Sequence, residues 1–141
     1  MAFTGNKVAT SFKVELLKGL HNFSDAGGDT FKMALYDSNA SFTEATTDYT
    51  ATDEIVVAGY TAGGIALTNV EPTSGGTTAF TTFANPSWSG ELSAAGALVY
   101  NSTVGTNAIM VLDFGGTRYS VSSVFTVSMP TADQLNAILR L

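Results

Sequence analysis

The sequence predicts an all-β chain: an antiparallel β-sandwich or jelly-roll-like body preceded by one short N-terminal α-helix. Three observations lead there. Apolar residues recur at four-residue spacing only in residues 10–22, and from residue 30 onward the spacing drops to two. Turn clusters such as "SDAGGD", "TSGG", "NPSWSG" and "GGTRY" then punctuate the chain, leaving about eight short strands. No further helical stretch separates these strands, so the crossovers that a parallel sheet requires are missing. A length of 141 residues suits a single domain, with residues 1–24 as an N-terminal arm and helix and residues 25–141 as the β body.

The elements follow in order. In "TSFKVELLKGLHN" (10–22), Phe12, Leu16 and Leu20 form an apolar stripe with Leu17 beside it, and Ser11 is placed to cap the start. "SDAGGD" ends the helix. "TFKMALY" (30–36) alternates Phe31, Met33 and Leu35 against Lys32, Ala34 and Tyr36. Residues 37–53 are polar, Thr-rich and acidic, which predicts a long surface loop. "GYTAGGIALTNV" (59–70) carries a turn at Gly63-Gly64 and a strand with Ile65 and Leu67 on one face. "TTAFTTFA" (77–84) is a strand that "NPSWSG" (85–90) breaks. "LSAAGALVYN" (92–101) is a strand rich in small residues. "AIMVLDF" (108–114) is apolar on both faces and predicts a central strand covered twice, with the helix as one cover. Gly115-Gly116 reads as a hairpin turn, and "VFTVSMP" (124–130) and "NAILRL" (136–141) complete the body.

Charge is sparse: 13% of residues, against about 25% in an average chain. Thr, Ser and Gly make up a third of the sequence instead. A neutral hydroxyl surface suits β-strands, and it suits packing against other protein, because interface cores are depleted in charge. The net charge of −6 and pI near 4.4 argue against a nucleic-acid partner. The charge is also uneven. Residues 1–20 hold Lys7, Lys13 and Lys18 against Glu15, while the rest of the chain is strongly acidic. The start "MAFTGNKVATSFK" has no signal-peptide pattern, and no apolar run approaches membrane-spanning length.

Chemistry is hard to assemble from these residues. His21 is the single histidine and there is no cysteine. The expectation is a solvent-facing histidine at the helix end rather than a catalytic base, which a third group would have to orient. Zinc ligation lacks donors. Asp48, Asp53 and Glu54, and separately Asp25 and Asp29, lack the spacing of a calcium loop and read as solvated loop acids. Asp113 sits at a strand end, where it is expected to accept backbone N–H groups of the Gly115-Gly116 turn. The sequence thus points to no catalytic residue, no cofactor and no metal. The aromatics Trp88, Tyr60, Tyr100 and Tyr119 pack a core by default; exposed, Trp88 and Tyr60 would make a platform for a glycan.

The segments "DTFKMALYDSNASF", "DYTATDEI", "GYTAGGIALTNV", "GALVYNST" and "AIMVLDFGGTRYSVSSVFTV" resemble a set of small tailed-bacteriophage virion proteins. The likeness covers roughly residues 10–141, and its motifs mark strands and turns. Where many of those proteins carry Arg before the "A-hydrophobic-hydrophobic-Y" strand, this chain has Gly96. The resemblance implies a virion structural protein, taken here as a decoration or cement protein on the outer surface of the head, with the major capsid protein as partner. By the same analogy it implies a homo-oligomer, most simply a homotrimer. Phe3, Lys7, Lys13 and Lys18 are then the candidates for capsid contact. Residues 1–11 are expected to form an arm whose removal leaves the body folded but unanchored. The alternative is a head or tail surface module that binds host glycans.

Overall fold

A computed structural model describes residues 3–141 and shows antiparallel strands with one short helix. The elements are β1 (Lys7–Val8), α1 (Thr10–Leu17), β2 (Phe31–Tyr36), β3 (Ile65–Ala66), β4 (Thr73–Gly75), β5 (Thr78–Thr81), β6 (Ser87–Ser89), β7 (Ser93–Asn101), β8 (Asn107–Tyr119), β9 (Val124–Thr126) and β10 (Leu139–Arg140). The main sheet has five strands in the order β1-β8-β7-β2-β3. A three-stranded sheet, β10-β5-β4, and a two-stranded one, β6-β9, complete the architecture. Every strand pairing is antiparallel.

The main sheet is buried on both faces, as its apolar central strand requires. Ala108 to Leu112 of β8 and Ala94 to Asn101 of β7 are all buried. The register opposes Met33 to Val99 and Val99 to Met110, so these side chains share one face. That face is covered by aromatic rings. Phe23 stacks on Phe31 with centroids 4.4 Å apart, Phe12 of α1 meets Phe23 edge-on, and Phe83 closes on Phe31 at 5.5 Å. Ala34, Tyr36, Leu98, Tyr100 and Val111 point the other way. Over them lie Phe42, edge-on to Tyr36 at 4.6 Å, and Tyr49, stacked on Tyr100 at 4.9 Å. The helix is therefore one cover and the 37–60 loop is the other.

The helix is shorter than the periodicity suggests. Its N-cap is Ala9, which makes no side-chain capping bond, and Ser11 Oγ is buried without a partner rather than capping. Gly19, at φ 73°, terminates it in the left-handed conformation common just past a helix end. Only Phe12 is fully buried; Leu16 packs against the core, Leu20 is half-exposed and Leu17 is 90% exposed.

Three other local expectations are corrected. Within the expected arm of residues 1–11, of which residues 1–2 lie outside the described residues, residues 3–11 pack on the body rather than standing off it. Lys7 and Val8 pair with Val111 and Met110, Phe3 is only 3% exposed, and Gly5 N–H donates to Asp113 Oδ2 at 2.8 Å. The strand does break before residue 87, but residues 87–89 then form a strand of another sheet, β6, which sets Trp88 opposite Phe125. The Gly115-Gly116 pair does not turn the chain. β8 runs through it to Tyr119, and the reversal comes at Ser122 and Ser123, both left-handed (φ 52° and 59°), between the mutually bonded Val121 and Val124. That is the geometry of a two-residue hairpin turn with positive φ at both central positions.

Candidate interaction surfaces

His21 is not at the surface. Its side chain is wholly buried, with Nε2 2.7 Å from Glu15 Oε2 and Nδ1 accepting from Asn101 Nδ2 at 2.9 Å. Asn101 also donates to Asp29 Oδ2, and Asn107 donates to Glu15 Oε1. Both ring nitrogens are thus engaged, and the Phe12 ring lies 5.1 Å away. The polar chain fastens the end of the helix to β7 and β8, and it leaves no free nitrogen to take a substrate proton.

Glu54 is likewise not a solvated loop acid. It is buried, and its carboxylate accepts from Tyr49 Oη at 2.6 Å, from Tyr60 Oη and from Gly63 N–H at 2.7 Å. Tyr60 Oη in turn accepts from Leu35 N–H, and Tyr100 Oη donates to Gly63 O. Burial, then the bond to Glu54, pushes Tyr49 and Tyr60 well above the usual tyrosine range. Burial, then the Glu54 charge, does the same to Tyr36. This network pins the 54–64 loop against the edge of β2. Asp48 remains exposed. Among the described residues, no three His, Asp or Glu side chains stand together as metal ligands. Asp113 accepts from Gly115 N–H at 2.8 Å as expected, but within the continuous strand β8 and not at a turn.

The aromatic platform is absent from the position the sequence suggested. Trp88 is 4% exposed, packed against Phe125 and Tyr60, and Tyr60 spends its hydroxyl on Glu54. Neither offers a sugar an open ring face. Of the proposed contact residues, Phe3 is buried and so faces inward. Lys7 lies 4.0 Å from Glu44, while Lys13 and Lys18 are exposed along and just beyond the helix.

What the molecule leaves open is apolar. An open groove of about 710 Å³ runs between α1 and the β10-β5-β4 sheet, floored by Phe12, Leu16, Phe23 and Phe80, with Lys13 and Arg140 among its lining. Leu17 stands beside it. A second apolar site is the β8–β9 hairpin tip, where Tyr119 is 72% and Val121 77% exposed. A third is Val56, 97% exposed at the end of the pinned loop. The sequence signals for these were weak: Leu17 lies next to the helix stripe, and nothing in a Val-Val pair marks it as exposed.

Compared with protein-family models, with curated proteins and with solved structures, the chain finds no match in any of the three.

Proposed function

We propose that this chain is a structural protein of a tailed-bacteriophage particle: a decoration or cement protein that binds the major capsid protein on the outer surface of the head, as a homo-oligomer with a trimer favoured. The observation that carries the reading is the amount of apolar surface left open on a chain with so few charges. Single exposed apolar residues are ordinary, but a contiguous apolar groove marks a protein-binding site. The β8–β9 hairpin adds a projecting apolar tip away from any polar cluster that would suit catalysis. A decoration protein needs two kinds of contact, one to the shell and one to its neighbours, and separate groove and hairpin surfaces fit that need. The sequence resemblance points the same way.

In this reading the hairpin tip, with Tyr119 and Val121, meets the shell, and Lys18 lies on exposed surface suited to an acidic partner. The test is co-sedimentation of the purified protein with shells assembled from the major capsid protein of the same genome. Binding that is lost in Val121→Asp, a change at an exposed position that leaves the fold intact, supports the proposal. Absence of binding by the unmodified protein overturns it.

A further inference from the structure

We propose that the groove beside α1 is the receptor for the Val56-Val57 loop of a second copy of this chain, so that copies associate head to tail. The inference goes beyond the shell-binding role and does not depend on it. Three features of the molecule argue for this occupant. The first is shape: Val56 is an apolar knob, 97% exposed, beside the less exposed Val57 (38%), and the groove is an apolar recess large enough for several side chains.

The second feature is charge. The groove is flanked by Lys13 and Arg140, in a chain whose other cations are few. The knob follows Asp53 in the chain, whose backbone carbonyl accepts from Asp37 N–H at its base. In the proposed docking the basic rim of the recess would meet the Asp53 side of the knob, a pairing of opposite charge that favours orientation and encounter.

The third is rigidity. The knob is held at its root by the three hydrogen bonds to Glu54, by Ile55 N–H donating to Leu35 O, and by Tyr60 N–H donating to Val57 O. A loop already fixed in shape loses little freedom on docking. Because the two surfaces differ, the contact is heterologous and propagates into a ring or a filament.

The experiment is sedimentation velocity on the isolated full chain, with Leu17→Asp and Val56→Asp as variants. Both positions are at least 90% exposed, and melting curves check that both variants fold. The wild type is expected to associate with rising concentration. Each variant alone should stay monomeric, with association weakened more than about tenfold by a charge forced into an apolar contact. An equimolar mixture of the two has one intact groove and one intact knob, so it should form dimers and nothing larger. Asp53→Asn, which tolerates the left-handed backbone at φ 63°, should weaken association and flatten its salt dependence. A wild type that stays monomeric, a Val56→Asp variant that associates like the wild type, or a mixture that stays monomeric overturns the proposal.

Discussion

The ring of Phe3 occupies the space that a side chain at Gly96 would need. A Cβ built at residue 96 would lie 2.4 Å from Phe3 Cε1 and 2.6 Å from the Leu112 carbonyl oxygen. The bare backbone of β7 is therefore what lets the N-terminal segment lie down on the sheet. Gly96→Ala should destabilise the protein by about 1–3 kcal/mol, the usual range for overpacking. In a Phe3→Ala background the same change should cost less, because one of the two clashes is gone; denaturant melts of the four proteins in the cycle measure that coupling. Equal costs in both backgrounds would show that Phe3 is not the neighbour that matters.

Deleting residues 1–9 should unfold or severely weaken the chain rather than release a stable body. The deletion removes Phe3, worth about 3–5 kcal/mol if it behaves like other buried phenylalanines, together with β1 and the Gly5 bond to Asp113. Circular dichroism against temperature reads the result. A truncated protein that melts where the full chain does would restore the picture of a loose arm.

Glu54→Gln keeps the size of the side chain but sets an amide N–H₂ where three donors converge. We expect a loss of about 2 kcal/mol, in line with the value of hydrogen bonds to a buried charge, and faster proteolysis within residues 56–62. Melting and limited proteolysis check both.

Alkaline pH should destabilise the protein through the tyrosines. In the unfolded chain a tyrosine ionises near pH 10, but the fold holds Tyr36, Tyr49 and Tyr60 in the neutral form to higher pH. Above pH 10 the native state then carries more protons than the unfolded one, so stability is whole below that point and falls above it. For the fully buried Tyr36 the slope is about 1.4 kcal/mol per pH unit. Melts between about pH 9 and pH 11.5 should show the decline, and Tyr36→Phe should make it shallower.

The legible part of the fold was the part written in long apolar patterns. The all-β class, the central strand at residues 108–112, the turn at Gly63-Gly64 and the loop at 37–53 all follow from alternation or composition. Gly64 shows why that turn needs glycine: a Cβ there would sit 1.8 Å from Met33 O. The features that position the surfaces depend on distant partners instead. Ser87–Ser89 becomes a strand only because β9 lies beside it, and β8 continues through two glycines because Ala94 and Ser93 pair with Arg118 and Tyr119. His21 and Glu54 look like surface residues until Asn101 and the tyrosines are brought to them by the fold. Val56 shows the opposite failure, an apolar residue in an apolar run that ends fully exposed because the Glu54 network turns the loop outward.

The most direct test of the central claim, that this chain is a phage head protein, is to look for it in virions: if the proposal holds, its gene lies in a tailed-phage genome and the protein is found in that phage's particles. An electron cryomicroscopy reconstruction of purified virions, compared with particles lacking the gene, is predicted to show a symmetric set of densities missing from the outer face of the head. In those densities the β8–β9 hairpin should meet the major capsid protein. Density lost from the tail, or intact virions from which the protein is absent, would contradict the account.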